Sequence, residues 1–332
     1  MSDVTASGYG RVNLIGEHTD YNLGLALPLT LPIRTIVDAS LRPDWRIVVT
    51  SDAFHGEAPR AFDAGEWGRE GLWTDYVRAA SALLAREGIF EHGATLTITS
   101  DIPPGAGLAS SAALCVALVR ALARLGGIEL DARKVAALAR AIETDFVGAP
   151  VGLMDQLAAV GEPGRAQLID FQDESVRSVA VPDSLAIEII DSGLRHEHRS
   201  GGYAERRAEC ARACAALGVA SLREIDDAPA RLDDLPEPLK RRARHVVREN
   251  QRVRDAVSAL EQADFTRFGA LLSASHASLR DDFEVSLPAI DAIVEKAAQT
   301  PGVFGARITG GGFGGCVVVA KQVTPLTSNY LR

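Results

Sequence analysis

A change of texture near residue 190 is what most constrains the fold of this chain. Before it, short Ile- and Val-rich runs alternate with helical patterns and glycine turns; after it come long, charged, alanine-rich stretches. Residues 35–41 and 46–50 read as strands, and residues 94–100 alternate apolar and threonine positions as a half-buried strand does. The spacing of Leu72, Tyr76, Ala80, Leu83 and Leu84 predicts a helix over 71–86. Residues 108–125 and 131–146 read as two more, the second capped by Asp131, and Pro150 opens another that reaches about Val160. Strands follow over 166–170, 176–181 and 186–191. Beyond them helices are predicted over 202–217, 235–263, 265–279 and 287–299, then strands over 303–309 and 316–320. With 332 residues and no internal repeat, the chain divides into two domains, 1–182 and 183–332, at the Val181-Pro182-Asp183-Ser184 turn.

Composition narrows the partners. Hydrophobic residues make up 47% and the net charge is −9, which speaks for buried cores and against nucleic acid or an anionic membrane as partners. ATP is not excluded, because phosphate sites are built locally from helix ends. No apolar run approaches a membrane span, and Met1-Ser2-Asp3-Val4 does not open a secretory signal. The four cysteines are scattered without metal-ligand spacing, so the expected compartment is the cytoplasm.

Two strings carry chemistry. Gly10-Arg11-Val12-Asn13-Leu14-Ile15-Gly16-Glu17-His18-Thr19-Asp20-Tyr21-Asn22 packs a cation, two carboxylates, an imidazole and amides into one run. Such a mixture of donors and acceptors suits a polyol, although by composition alone it is equally an N-terminal strand with a polar turn. Pro103-Pro104-Gly105-Ala106-Gly107-Leu108-Ala109-Ser110-Ser111 lies between a strand and a helix. Unpaired N–H groups of a helix start, glycines that admit close approach and serine hydroxyls together make an anion cradle. There is no Gly-Lys-Ser or Gly-Lys-Thr, so it is not the P-loop. Glu143 and Asp155, 12 positions apart, are candidate acids. Thr309-Gly310-Gly311-Gly312-Phe313-Gly314-Gly315-Cys316 is a second glycine cluster, either a strained hairpin or support for a site.

The first string resembles the N-terminal signature of the galactokinases, a branch of the GHMP small-molecule kinases. The second is similar to that family's phosphate loop, with Ala109 where a serine is usual, and the glycine cluster is similar to its C-terminal motif. The likeness runs from Arg11 to Cys316. It implies an α+β fold of two α/β domains, an N-terminal mixed-sheet domain and a C-terminal ferredoxin-like domain, with the active site between them. It implies ATP-dependent phosphorylation of D-galactose at its anomeric hydroxyl by a monomer. Asp155 and Arg11 would be catalytic: Asp155 faces the hydroxyl, and Arg11 compensates that carboxylate or the transferring phosphoryl group. Glu17, His18, Thr19, Asp20, Gly152 and Tyr203 would bind sugar. Gly105, Ala106, Gly107, Leu108, Ala109, Ser110 and Ser111 would bind ATP, with Ser51, Trp73 and Tyr76 beside the nucleotide. Ser111 and Glu143 would hold Mg2+. A kinase of a related sugar or uronic acid, or a non-catalytic galactose sensor, would share much of this pattern. The last residues, 321–332, look unlike the family's usual ending, so a sheet edge that is normally covered is expected to be open.

Overall fold

The computed structural model of the chain describes residues 3–103, 106–149, 151–194, 199–226 and 229–323. Its strands are β1 (Val4–Asn13), β2 (Leu25–Ala26), β3 (Pro28–Arg42), β4 (Arg46–Ser51), β5 (Arg60–Asp63), β6 (Gly93–Ser100), β7 (Arg165–Asp170), β8 (Ser175–Ala180), β9 (Leu185–Asp191), β10 (Val303–Thr309) and β11 (Cys316–Gln322). Its helices are α1 (Asp75–Arg86), α2 (Ser110–Leu125), α3 (Ala132–Ala141), α4 (Met154–Ala159), α5 (Arg199–Leu217), α6 (Leu239–Glu261), α7 (Phe265–Asp281) and α8 (Pro288–Ala298). They form two compact units, one of Met1–Arg11 with Thr30–Pro163, the other of Val12–Leu29 with Gly164–Arg332. A single cut at residue 182 follows the order of textures along the sequence. In chain order the second unit also takes in residues 12–29 and 164–182, where β7 pairs antiparallel with β2 (Ala26↔Ile169) and with β8 (Ile169↔Val176).

In the first unit β3 pairs antiparallel with β6 (Val37↔Ile98), β6 parallel with β4 (Val49↔Leu96) and β4 antiparallel with β5 (Ile47↔Phe62). The sheet is therefore mixed. Val37, Ile47, Val49 and Leu96 pack with Leu84 of α1 and Leu118 and Leu122 of α2 in one apolar core. Burying such residues is the main driving force here, at roughly 1.5–3 kcal/mol for each large side chain. Gly8 lets β1 lie against α2, since a Cβ there would sit 2.1 Å from the Ala113 carbonyl oxygen. β3 starts at Pro28, well before the expected residue 35.

Several helices start later than periodicity suggests. α1 opens at Asp75, not 71, because the Asp75 carboxylate accepts from the N–H groups of Glu70 and Gly71 and turns the preceding segment around itself. α3 does begin at the Asp131 cap, which accepts from Lys134 N at 2.8 Å, but after Ala141 it widens into a π-helical turn, Ile142–Val147. α4 begins at Met154; Pro150, expected to open it, lies outside the described residues.

In the second unit β11 lies between β10 and β9, both antiparallel to it (Ile308↔Val317 and Ile189↔Val318). Helices α5 to α8 build a separate core in which Val246, Leu279, Phe283 and Ile290 meet Ile308, Val317 and Val319. No helix of the described residues is long and apolar enough to cross a membrane. The atypical tail, 324–332, lies outside the described residues.

Candidate active site

The first unit gathers the groups suited to phosphoryl chemistry. α2 starts at Ser110, preceded by Ala109 in the left-handed region (φ 61°) and by Gly107 (φ 75°). These residues form a loop rather than the expected first turn of helix, and their conformation presents the start of α2 as an open end. Gly105 lies outside the described residues. The end of β1 docks on this loop through Arg11 N, which donates to the Leu108 carbonyl at 3.1 Å. The Arg11 guanidinium then makes three bonds: Nε and Nη2 to the two Asp155 oxygens at 2.8 and 2.7 Å, and Nη1 to the Gly107 carbonyl at 2.7 Å. A bidentate guanidinium–carboxylate pair fixes both groups in one plane. The third bond ties that pair to the glycine loop. Asp155 sits in the first turn of α4 with its side chain 28% exposed, so a ligand can reach it.

Glu143, on the π-helical turn, is turned inward and only 1% exposed. Burial pushes its carboxyl above the ordinary range; hydrogen bonds from Ser111 and Gln156 oppose this, the Asp155 charge adds to it, and Arg11 opposes it. Gln156 was not among the sequence candidates. It is buried, its Nε2 donates to Glu143, and its Oε1 has no hydrogen-bond partner. Only its position next to Asp155 could have flagged it.

Trp73 stacks on Phe54 with ring centroids 5.0 Å apart at 11°. Ser51 caps the Asp52–Phe54 turn that carries Phe54, accepting from Ala53 N. These two candidates are thus joined through Phe54, which the sequence reading missed. Tyr76 is half-buried; burial, then the neighbouring Cys115 and Glu143, push its phenol up to about 12. Gly152 is also in this unit, partly buried, in the segment before α4.

The second unit gathers the rest of the signature. Gly16, at φ 103°, turns the chain where a Cβ would sit 2.5 Å from the Leu25 carbonyl. Glu17 is 4% exposed, and its Oε1 accepts from Gly310 N at 2.7 Å and Thr309 Oγ1 at 3.0 Å, with Arg307 Nη2 at 3.2 Å. Arg307, fully buried, also donates from Nη1 to the carbonyls of Asn13 and Leu14. Helix α6 holds the same loop from another side. Glu249 accepts from Gly16 N, Asn250 Oδ1 accepts from Leu25 N, and His245 Nε2 bonds the Glu17 carbonyl at 3.1 Å. A carbonyl can only accept, so Nε2 of His245 carries the proton, and Nδ1 lies 2.9 Å from the Ser278 hydroxyl oxygen.

His18 lies in the left-handed region (φ 63°), with its ring 4.6 Å from Phe283 and 5.4 Å from Tyr203, and Nδ1 bonded to the Tyr21 hydroxyl. Burial, then the charges of His245, Arg206 and Arg307, lower its pKa to about 3, so the imidazole is neutral. Thr19 is fully buried, its hydroxyl within reach of the Gly16 and Leu25 carbonyls, so its side chain shapes the loop. Asp20 opens a short helical turn, Asp20–Asn22, and is partly exposed. Tyr203 on α5 and the Gly310–Gly311 peptide are therefore brought to Glu17 and His18 from distant parts of the sequence. Gly202 lets α5 approach, since a Cβ there would meet the Phe313 ring at 2.5 Å.

Three family descriptions match the chain: the galactokinase galactose-binding signature over residues 2–41, the GHMP kinases N terminal domain over 75–162 and the GHMP kinases C terminal domain over 256–321. A galactokinase of Mycobacterium tuberculosis (strain H37Rv) is 48% identical over 315 residues, 93% of this chain and 86% of its own length. A galactokinase of Roseiflexus sp. (strain RS-1) is 43% identical, covering 93% of this chain and 81% of its own. The crystal structure of Lactococcus lactis galactokinase complexed with galactose aligns with a TM-score of 0.91 at 34% identity, over 97% of this chain and 86% of that one. Methanococcus jannaschii mevalonate kinase aligns with a TM-score of 0.73 at 19% identity, over 97% and 91%, a likeness of fold alone.

Proposed function

This chain belongs to the galactokinases of the GHMP kinase family, and from that premise we propose that it transfers the γ-phosphoryl group of ATP to the anomeric hydroxyl of D-galactose. The observation that carries the chemistry is the Arg11–Asp155 pair bonded to the Gly107 carbonyl. It holds one carboxylate beside the loop that would take the phosphates. Asp155 accepts the proton of the hydroxyl as the new O–P bond forms, and the bond from phosphorus to the bridging oxygen breaks to release ADP. Arg11 holds Asp155 in orientation. The N–H groups at the start of α2, with Ala106 to Ser111, cradle the polyphosphate. The stacked Trp73–Phe54 pair and Tyr76 are assigned to the nucleotide's base side.

Among the described residues no group of three or more His, Cys, Asp and Glu could hold a metal ion. The donor set at Glu143 still suits Mg2+, because a carboxylate, the Ser111 hydroxyl and the open Gln156 Oε1 are hard oxygens. Mg2+ shared between Glu143, Ser111 and ATP would neutralise phosphate charge. In the other unit Glu17, His18, Asp20 and Tyr203 are assigned to the sugar hydroxyls. Turnover of ATP with a panel of galactose, glucose and galacturonate tests the reading. Galactose is expected to be preferred over its C4 epimer glucose by roughly tenfold or more, since one mismatched hydroxyl leaves buried polar groups unpaired at about 1–3 kcal/mol. Equal use of the two hexoses, or preference for the acid, contradicts it.

A further inference from the structure

Asn13 ends β1 and is 1% exposed. Its backbone carbonyl is well used, accepting from Arg307 Nη1 at 3.2 Å and lying 2.9 Å from Thr309 Oγ1, whose one proton it shares with the Glu17 carboxylate. Its side-chain amide is not: neither Nδ2 nor Oδ1 has a hydrogen-bond partner. The other buried amides around this loop behave differently. Asn22 Nδ2 donates to the His18 carbonyl, and Asn250 accepts from Leu25 N while donating to Asp226. Buried polar groups are nearly always satisfied, and an amide left open at both ends weakens the folded state of the free protein.

We infer that the Asn13 side chain is a sugar-contacting, specificity-determining group, its amide completed by a galactose hydroxyl. The inference rests on the galactose reading above. Chemistry selects the ligand: Nδ2 needs an acceptor and Oδ1 a donor, and a hydroxyl is both. Phosphate oxygens only accept and would leave Oδ1 open. Position agrees, because one hydroxyl, that of Thr309, reaches both the Asn13 carbonyl and the Glu17 carboxylate. Asn13 therefore lies at the same spot as the acid assigned to the sugar.

Leucine has nearly the shape of asparagine without its polar atoms, which gives the test an unusual sign. Melting of the ligand-free wild type and Asn13→Leu is compared, and galactose and ADP binding are measured by calorimetry for the wild type, Asn13→Leu and Asn13→Ala. The leucine variant is expected to melt higher than the wild type, since an unpaired amide has been removed. Both variants are expected to bind galactose at least roughly tenfold more weakly, about 1.4 kcal/mol, with ADP affinity unchanged. A leucine variant that melts lower or does not fold, or variants that keep wild-type galactose affinity, overturn the assignment while galactose binding by the wild type stands. A wild type that binds no galactose overturns the sugar reading, and Asn13 with it.

Discussion

The two groups of site residues are built in opposite ways. In the first unit the loop before α2 exposes backbone, and its conformation is largely local: Gly107 and Ala109 in the left-handed region, then a helix start. In the second unit little of the signature stands by its own sequence. Gly16 and Glu17 are held by residues more than two hundred positions away, Glu249, His245, Thr309 and Gly310. A phosphate site needs only a helix end and room, because its ligand carries its own charge. Discrimination among neutral hydroxyls needs side chains fixed to fractions of an ångström, and that takes a buried frame. Damage to the frame should therefore harm sugar binding and leave nucleotide binding alone.

The largest effect is expected at the residue proposed to take the proton. Asp155→Asn should lower kcat by roughly 10²–10⁴-fold with ADP affinity nearly unchanged, as read by steady-state kinetics and calorimetry. Near-normal turnover would remove Asp155 from the proton-accepting role. Next comes Arg307→Met, which takes one partner from a buried ion pair and strands Glu17. Such losses run at roughly 3–5 kcal/mol. Denaturant melts should show it, and galactose affinity should fall while ADP affinity holds. A parallel loss of both ligands would mean the frame is not specific to the sugar.

Stability also separates the units by pH. His18 and His245 are held near pKa values of about 3 and about 4, chiefly by burial, against 6.5 for an ordinary histidine. The unfolded chain therefore binds protons that the folded one refuses, and stability falls as pH drops from 6.5 towards 4. The slope is about 1.4 kcal/mol per pH unit for each such histidine. His245→Gln, which keeps a donor for the Glu17 carbonyl, should flatten the dependence of melting temperature on pH. Glu143 has the other sign. Its carboxyl is raised by burial, so the folded chain loses stability as pH rises through that value. Glu143→Gln should leave the ligand-free protein as stable as the wild type at neutral pH, or more so, while activity is lost. A clear drop in melting temperature would show that ionised Glu143 supports the fold rather than burdening it.

Much of the fold was legible because apolar periodicity survives in most elements. The cores of β4, β6, α2, α6 and α7 all fall where their Ile, Val, Leu and Ala spacing puts them. The candidate site was legible as strings, since the chain keeps its candidate groups within short runs such as Gly10 to Asn22 and Ala106 to Ser111. By itself the sequence determined the candidates: Arg11, Asp155, Glu143 and the run from Glu17 to Asp20 are named by motif. What it could not contain is pairing across distance. That Arg11 grips Asp155, 144 positions on, and that Arg307 grips Glu17, are products of packing. The same holds for residues with no motif at all. Gln156, Phe54 and His245 acquire their importance only from what packing places around them, and Asn13, though inside the first string, is singled out only by the amide that burial leaves open. Hydrogen bonds between distant segments depend on angles and fractions of an ångström, which tertiary structure sets and a string of letters does not record.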